Sequence, residues 1–231
     1  MNPVDPETHA VAARYARRAG GDLYSLLRPE VWQSFHERQR VMIDLLSRHA
    51  GKPLAELDLL EIGCGSGGNL LELARLGFDA GRLVGNELLP ERAAAARRQL
   101  PAATVLHEGD ASALPFEAAS FDIVYQSTVF SSLLDDAFQR RLAGCMWSWL
   151  RPGGGVLWYD FTVDNPGNPD VRGVPLTRVR ALFPEGRIDA RRVTLAPPIS
   201  RRVVRLHPAV YRVFNALPLL RTHLLCWIAK P

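Results

Sequence analysis

A short apolar run, Leu59-Leu60, leads into Glu61-Ile62-Gly63-Cys64-Gly65-Ser66-Gly67-Gly68. Glycines packed this closely let a backbone take positive φ and approach a ligand at van der Waals distance. Glu61 stands two positions before the first of them. A carboxylate there suits a ligand carrying an ammonium group, met directly or through water. Glu87 ends a second apolar run twenty residues after Gly67, where a carboxylate can accept from both hydroxyls of a ribose. Asp110 ends a third run in Glu108-Gly109-Asp110-Ala111 and can accept from the exocyclic amino group of an adenine. Gly63, Gly65 and Gly68 also satisfy the GxGxxG pattern of dinucleotide sites. A pyrophosphate would be repelled by Glu61, which argues against the rival reading of a nicotinamide oxidoreductase. Taken singly, Glu61 reads as a partner for the following helix N-terminus, and Glu87 and Asp110 as turn acids. Three acids at three neighbouring strand ends, beside a glycine loop, describe a site for a cationic, adenosine-bearing ligand.

The elements needed to gather these residues are legible as a rhythm. Residues 1–50 predict helices: Val31, Trp32, Phe35, Val41, Met42, Ile43, Leu45 and Leu46 recur at near-helical spacing, with Glu37, Arg38, Arg40 and Asp44 between them. Gly51-Lys52-Pro53 stops that pattern. Strands are then predicted at 57–62, 83–85, 104–107, 121–126 and 155–161, and helices at 69–76, 91–100 and 137–150. Strands alternating with helices imply a parallel sheet covered on both faces. Past Phe161 the alternation loosens into a Pro-, Gly-, Asn- and Asp-rich loop, a short helix near 177–182, and strands at 187–196 and 223–229. No linker is visible, so the expectation is one compact unit, an N-terminal helical cap over 1–50 and an α/β domain over 51–231.

S-Adenosylmethionine combines a sulfonium, an ammonium, a ribose and an adenine, the groups such a site would hold. At Glu61-Ile-Gly-Cys-Gly-Ser-Gly67, Val84-Gly-Asn-Glu87, Gly109-Asp-Ala-Ser-Ala-Leu-Pro-Phe116, Ser120-Phe-Asp-Ile-Val124 and Leu150-Arg-Pro-Gly-Gly-Gly-Val156, the chain resembles the class I S-adenosylmethionine-dependent methyltransferases. In particular it is similar to the bacterial subgroup that includes the ubiquinone C-methyltransferases. The resemblance implies a doubly wound, seven-stranded, mostly parallel Rossmann-like sheet of order 3-2-1-4-5-7-6 with strand 7 antiparallel. It also implies that Glu61, Gly63, Gly65 and Gly67 hold the methionine end, that Glu87 binds the ribose, that Asp110 and Ala111 frame the adenine, and that Gln126 sits beside the sulfonium. Two departures stand out: the family has Asp preceded by an apolar residue where Asn86-Glu87 occur, and the subgroup's His pair after strand 4 is replaced by Ser131-Ser132.

The acceptor side is less defined. In this architecture it is built by the N-terminal helices, the loops after strands 4 and 5, and the inserts near the last two strands. Asp160, at the end of the fifth strand, is the first candidate for a general base; His223 and His36 are weaker ones. The loop from Asp160 to Arg172 holds Asp164, Asn165, Asn168 and Asp170 beside Trp158, Tyr159 and Phe161, which suits a polyhydroxylated acceptor. Asn165 and Arg172 are the named candidates there. The alternative is a Pro-braced turn whose polar side chains bond their own backbone. Tyr15 and Tyr24 are candidates for a lid. The resulting expectation is methyl transfer to a small-molecule, sugar or lipid-linked acceptor at oxygen. C-methylation of a quinone-like acceptor and a non-catalytic cofactor-binding module are the alternatives.

The whole-chain properties set bounds. With 231 residues, 47% apolar and 23% charged, the chain can bury a full core without staples. Cys64, Cys145 and Cys226 are too scattered for a disulfide framework or a metal knuckle, which gives an expectation of a reducing, cytoplasmic setting and no metal. Asp122 opens its strand away from the ligand edge and reads as structural, and Cys64 as a small packed residue. The net charge of +4 is uneven: residues 161–231 carry twelve Lys/Arg against four Asp/Glu. That basic third suits a phosphorylated metabolite or a membrane surface. No base-methylating motif is present, so nucleic acid is not expected as a partner.

Overall fold

The computed structural model of the protein describes residues 5–17 and 25–231; Tyr24, one of the two lid candidates, lies outside them. Seven strands form one sheet: β1 (Leu59–Ile62), β2 (Leu83–Glu87), β3 (Val105–Glu108), β4 (Phe121–Ser127), β5 (Leu150–Phe161), β6 (Arg187–Leu195) and β7 (Arg221–Ala229). Their order is β3-β2-β1-β4-β5-β7-β6, the order the resemblance implies. All pairs from β3 through β5 are parallel, and β7 runs antiparallel to both β5 and β6. β5 begins at Leu150, earlier than the apolar run suggests, because Leu150 pairs with Phe121 before a register shift.

The period-two alternation of the strands sorts side chains onto two cores. Leu60, Ile62, Val124, Val156, Trp158, Cys226 and Ile228 face one side. There they meet Phe138, Leu142 and Met146 of α5 (Asp136–Trp149) and Val179 of α6 (Leu176–Leu182). Leu59, Ile123, Tyr125, Leu157, Tyr159, Leu225 and Trp227 face the other side, under Met42, Leu45 and Leu46 of α2 (Pro29–His49) and Leu70 and Leu73 of α3 (Gly68–Leu76). α3 starts on Gly67 at φ 88° and ends on Gly77 at φ 110°, a left-handed cap that lets the chain turn back toward the sheet. α4 (Pro90–Gln99) opens on proline, whose missing N–H costs nothing in a first helical turn.

Two helices were not foreseen: α7 (Pro197–Leu206) and α8 (Pro208–Asn215), in the connection between β6 and β7. Each opens on a proline at its first turn. They pack on α2 and around their own small core of Leu195, Val203, Val204 and Tyr211.

At the amino end of β4, Asp122 accepts from the Asp58 amide (3.0 Å), Lys52 (3.0 Å) and Arg151 (2.7 Å). Burial would raise its pKa, but the amide and the two cations hold it below the usual carboxylate range. The group lies at the sheet edge opposite the glycine loop, which gives it the structural role its position implies.

Candidate active site

Strand order reverses between β1 and β4, and a cleft opens at the carboxyl ends of these strands, where open α/β sheets bind ligands. Gly63, Asn86, Glu87, Asp110, Ala111, Ser127 and Val129 line it, and Thr8, Val11 and Tyr15 of α1 (Pro6–Arg17) close it from above.

The glycine loop has the backbone its composition implies. Gly63 and Gly65 sit at φ 64° and 61°. A Cβ at Gly63 would lie 2.6 Å from Val129 Cγ2, and one at Gly65 2.5 Å from the Arg92 guanidinium. Glu87 fixes this loop as well as facing the cleft. One carboxylate oxygen accepts from the Gly65 amide (2.8 Å) and the other from the Leu89 amide (2.9 Å). Asp110 Oδ1 accepts from the amide and hydroxyl of Ser112, while Oδ2 accepts from the Thr8 hydroxyl at 2.9 Å. Asp110 is thus tied to α1 through Thr8.

Asn86, the departure from the family pattern, donates to the Gly109 carbonyl at 3.0 Å and braces the turn that presents Asp110. The extra polar group is therefore satisfied, as a buried amide requires.

Glu61 lies behind the loop and is fully buried. Asn69 donates to its Oε1 at 2.7 Å, and its Oε2 has no partner. Burial pushes its pKa up to about 7, against the pull of Asn69 and Arg38. Arg38 is the site residue that sequence reasoning missed. Its guanidinium donates to Asn69 Oδ1 (3.0 Å) and stacks over Tyr159 at 5.0 Å, and its Nε is buried without a partner. An orphan carboxylate oxygen and an orphan guanidinium N–H, bridged by one amide, complement the two charges of an α-amino acid, and both residues lie behind the residues that line the cleft rather than among them. This fits the methionine end of S-adenosylmethionine.

The other expected residues divide differently. Gln126 is fully buried with its amide spent on backbone: Oε1 accepts from Val129 N (3.0 Å) and Nε2 donates to the Tyr159 carbonyl (3.3 Å). It shapes the turn carrying Val129 and does not line the cleft. Asp160 is fully enclosed and accepts from the amides of Ser131 and Phe161, both at 3.0 Å. Burial raises its pKa to about 7, but its contacts brace the 130–132 turn and it is not among the lining residues.

The structure does not bring Asn165 and Arg172 to the cleft. Asn165 accepts from the Gly167 amide in a local turn, and Arg172 pairs with Asp136 on the surface. Asp164, Asn165 and Asn168 accept from amides of the loop itself, whereas Asp170 pairs with Arg17. His223 stacks on Tyr159 at 5.1 Å, and burial lowers its pKa to about 4. His36 packs edge-on against Trp32. Neither lines the cleft. Among the described residues, no cluster of His, Cys, Asp and Glu could hold a metal ion, and no helix is long and apolar enough to cross a membrane.

Residues 59–154 match the family described as a methyltransferase domain. Over 169 residues the chain is 31% identical to the malonyl-(acyl-carrier protein) O-methyltransferase of Enterobacter lignolyticus, covering 71% of this chain and 58% of that protein. It is 32% identical over 169 residues to a ubiquinone biosynthesis O-methyltransferase of Methylocella silvestris, covering 65% and 61%. The chain thus spans about three-fifths of the length of these two relatives. The geranyl diphosphate C-methyltransferase of Streptomyces coelicolor A3(2), solved with Mg2+, geranyl diphosphate and S-adenosyl-L-homocysteine, superposes with a TM-score of 0.67 at 14% identity, covering 99% of this chain and 98% of that one.

Fold, glycine loop and matched domain together are similar to those of the class I S-adenosylmethionine-dependent methyltransferases. The cofactor of such a domain is S-adenosylmethionine.

Proposed function

We propose that the protein transfers the methyl group of S-adenosylmethionine to an oxygen of a small-molecule acceptor. The observation that carries this reading is the pairing of the orphaned Glu61 Oε2 and Arg38 Nε behind a cleft rimmed by Glu87 and Asp110. Glu61 faces the ammonium, Arg38 the carboxylate, Glu87 the ribose hydroxyls and Asp110 the adenine amino group. Gly63, Gly65 and Gly67 let the backbone come close, Ala111 walls the adenine, and Gln126 sets the turn beside the sulfonium. The sulfonium supplies an already activated methyl group with a neutral thioether as leaving group, so alignment and exclusion of water supply much of the acceleration.

α1 is built for that exclusion. Glu7 and Arg14 form a buried pair (2.9 Å), Arg14 donates to the Ser132 carbonyl (2.7 Å), and Glu7 accepts from the Leu134 amide (2.7 Å). These contacts hold Val11 and Tyr15 over the cleft. Asp160 acts by positioning the 130–132 turn; an acceptor of low pKa needs no base in such a site. Oxygen as the methylated atom rests on the two O-methyltransferase relatives. The apolar wall of Val11, Leu133, Phe138 and Leu142 favours a second reading, a carbon on a quinone- or lipid-like acceptor. A glycan-like acceptor has less support, because Asn165 and Arg172 are engaged elsewhere. A cytoplasmic setting rests on three free cysteines.

The test is transfer of label from methyl-tritiated S-adenosylmethionine into fractionated small-molecule extract, with mass spectrometry of the labelled product. A product one methyl heavier at oxygen supports the reading. Cofactor binding with no transfer to any fraction would make the protein a binding module. A fluorescence response to a reduced nicotinamide would revive the oxidoreductase.

A further inference from the structure

α7, α8 and the turn after them leave water-facing apolar side chains that the fold does not use. Leu206 is 79% exposed, Val213 68%, Phe214 38%, Leu217 55% and Leu219 91%. The inner faces of the same helices are satisfied by Val203, Val204 and Tyr211. Arg201, Arg202, Arg205 and Arg212 are exposed among the outward leucines, and residues 190–231 contain eight Lys/Arg and no Asp or Glu. Contiguous exposed apolar side chains mark an interaction surface. Interleaved with arginines, with Glu30 of α2 the acid close to Arg201, they match the interface of an anionic bilayer: the apolar tips enter the acyl boundary and the guanidiniums meet phosphate headgroups. A nucleic-acid backbone would reward the arginines and leave the leucines in water.

The surface is rigidly held. Glu37 of α2 is buried and accepts from Asn215 Nδ2 (2.7 Å), Tyr211 OH (3.1 Å) and the Thr194 amide (3.0 Å), tying α8 to α2 and β6. It is also on the active side of the molecule. β6 and β5 both run antiparallel to β7, so the carboxyl end of β6, from which α7 departs, lies at the same sheet edge as the carboxyl ends of β1 and β4.

We infer that the α7–α8 face docks on anionic lipid membranes, placing the cleft edge of the sheet toward a membrane-borne acceptor. The docking itself does not depend on the methyl-transfer reading and is measured separately from it.

The experiment is co-sedimentation of the full chain with sucrose-loaded vesicles of phosphatidylcholine alone or of equimolar phosphatidylcholine and phosphatidylglycerol. Partition into the anionic vesicles should exceed that into neutral ones by about tenfold or more at low salt and shrink as salt screens the arginines. Replacing Leu206, Val213, Leu217 and Leu219 together by Ser should lower partition at least ~10-fold, with unchanged melting temperature and S-adenosylhomocysteine affinity. Should that variant fail to fold, the Arg201→Gln, Arg202→Gln, Arg205→Gln triple variant must lose preference for the anionic vesicles. The inference is overturned if the wild type stays in the supernatant with both vesicle types, or if both folded variants pellet like the wild type. It is equally overturned if the face proves to bind a second copy, seen as a dimer that the serine variant makes monomeric, or if the chain shifts nucleic acid but ignores vesicles.

Discussion

Cofactor affinity should rise with pH through neutrality, and Glu61 should be the cause. The carboxyl is fully buried, which raises its pKa to about 7 despite the Asn69 hydrogen bond and the nearby Arg38 charge. If only the ionised form receives the ligand's ammonium group, about one-tenth of the protein is competent at pH 6 and about nine-tenths at pH 8. Apparent affinity scales with that fraction, so S-adenosylhomocysteine should bind about tenfold more tightly at pH 8, about 1.4 kcal/mol. Binding then releases close to one proton per ligand at pH 6. Titration calorimetry in buffers of different ionisation enthalpy reads both quantities. Glu61→Gln should bind more weakly at pH 8 and show a flat profile. An unchanged dissociation constant in the wild type between pH 6 and 8, or the same slope in Glu61→Gln, would refute the reasoning. The same shift has a consequence for the ligand-free protein. A carboxyl whose folded pKa lies above its unfolded value favours the folded state at low pH and loses that contribution as pH rises through about 4.5 to 7. Asp160, also raised to about 7 by burial, acts in the same direction, so ligand should restore stability most above neutrality.

Other outcomes follow from particular contacts. Asp110→Ala removes the acceptor at the adenine rim and the Thr8 tether; S-adenosylhomocysteine affinity should fall at least ~10-fold, as loss of a charged hydrogen bond implies, and equal affinity would discredit the adenine assignment. Glu37→Leu strands three buried donors, which should cost about 3–5 kcal/mol and about 10 °C in melting temperature; a change under a few degrees would show that α8 is not anchored there. Gly155→Ala drives a Cβ into the Trp227 ring on the neighbouring strand, costing about 1–3 kcal/mol in thermal melts while cofactor affinity stays at the wild-type value.

The part of the site made of consecutive residues was open to reading from sequence. Gly63, Gly65 and Gly67 declare positive φ, and Glu61, Glu87 and Asp110 each end an apolar run, so the chain order fixes their place on the rim. Arg38 and Glu37 were not open in this way. Both interrupt the apolar pattern of α2, the sign of a water-facing stripe, yet Glu37 is covered by α8 and Arg38 lies against α3 and the sheet. Helices α7 and α8 were themselves hidden because Pro197, Pro198 and Pro208 read as breakers when they are first-turn residues. Asn165 and Arg172 illustrate the opposite error: a segment dense in Asn, Asp and Arg resembles a binding loop, but in a Pro-rich turn those groups first satisfy the nearest amides and carboxylates. Asp160 and Gln126 sit at the right strand ends, and only the three-dimensional structure shows that their polar atoms point into the turns that they brace.

The most direct measurement is titration of the purified chain with S-adenosylhomocysteine at pH 8, with a reduced nicotinamide dinucleotide as the comparison ligand. Saturable one-to-one binding of the former at tens of micromolar or tighter, with no response to the latter, is the expected result. No heat and no thermal stabilisation by S-adenosylhomocysteine at that concentration would contradict the assignment of the cleft to a cationic nucleoside.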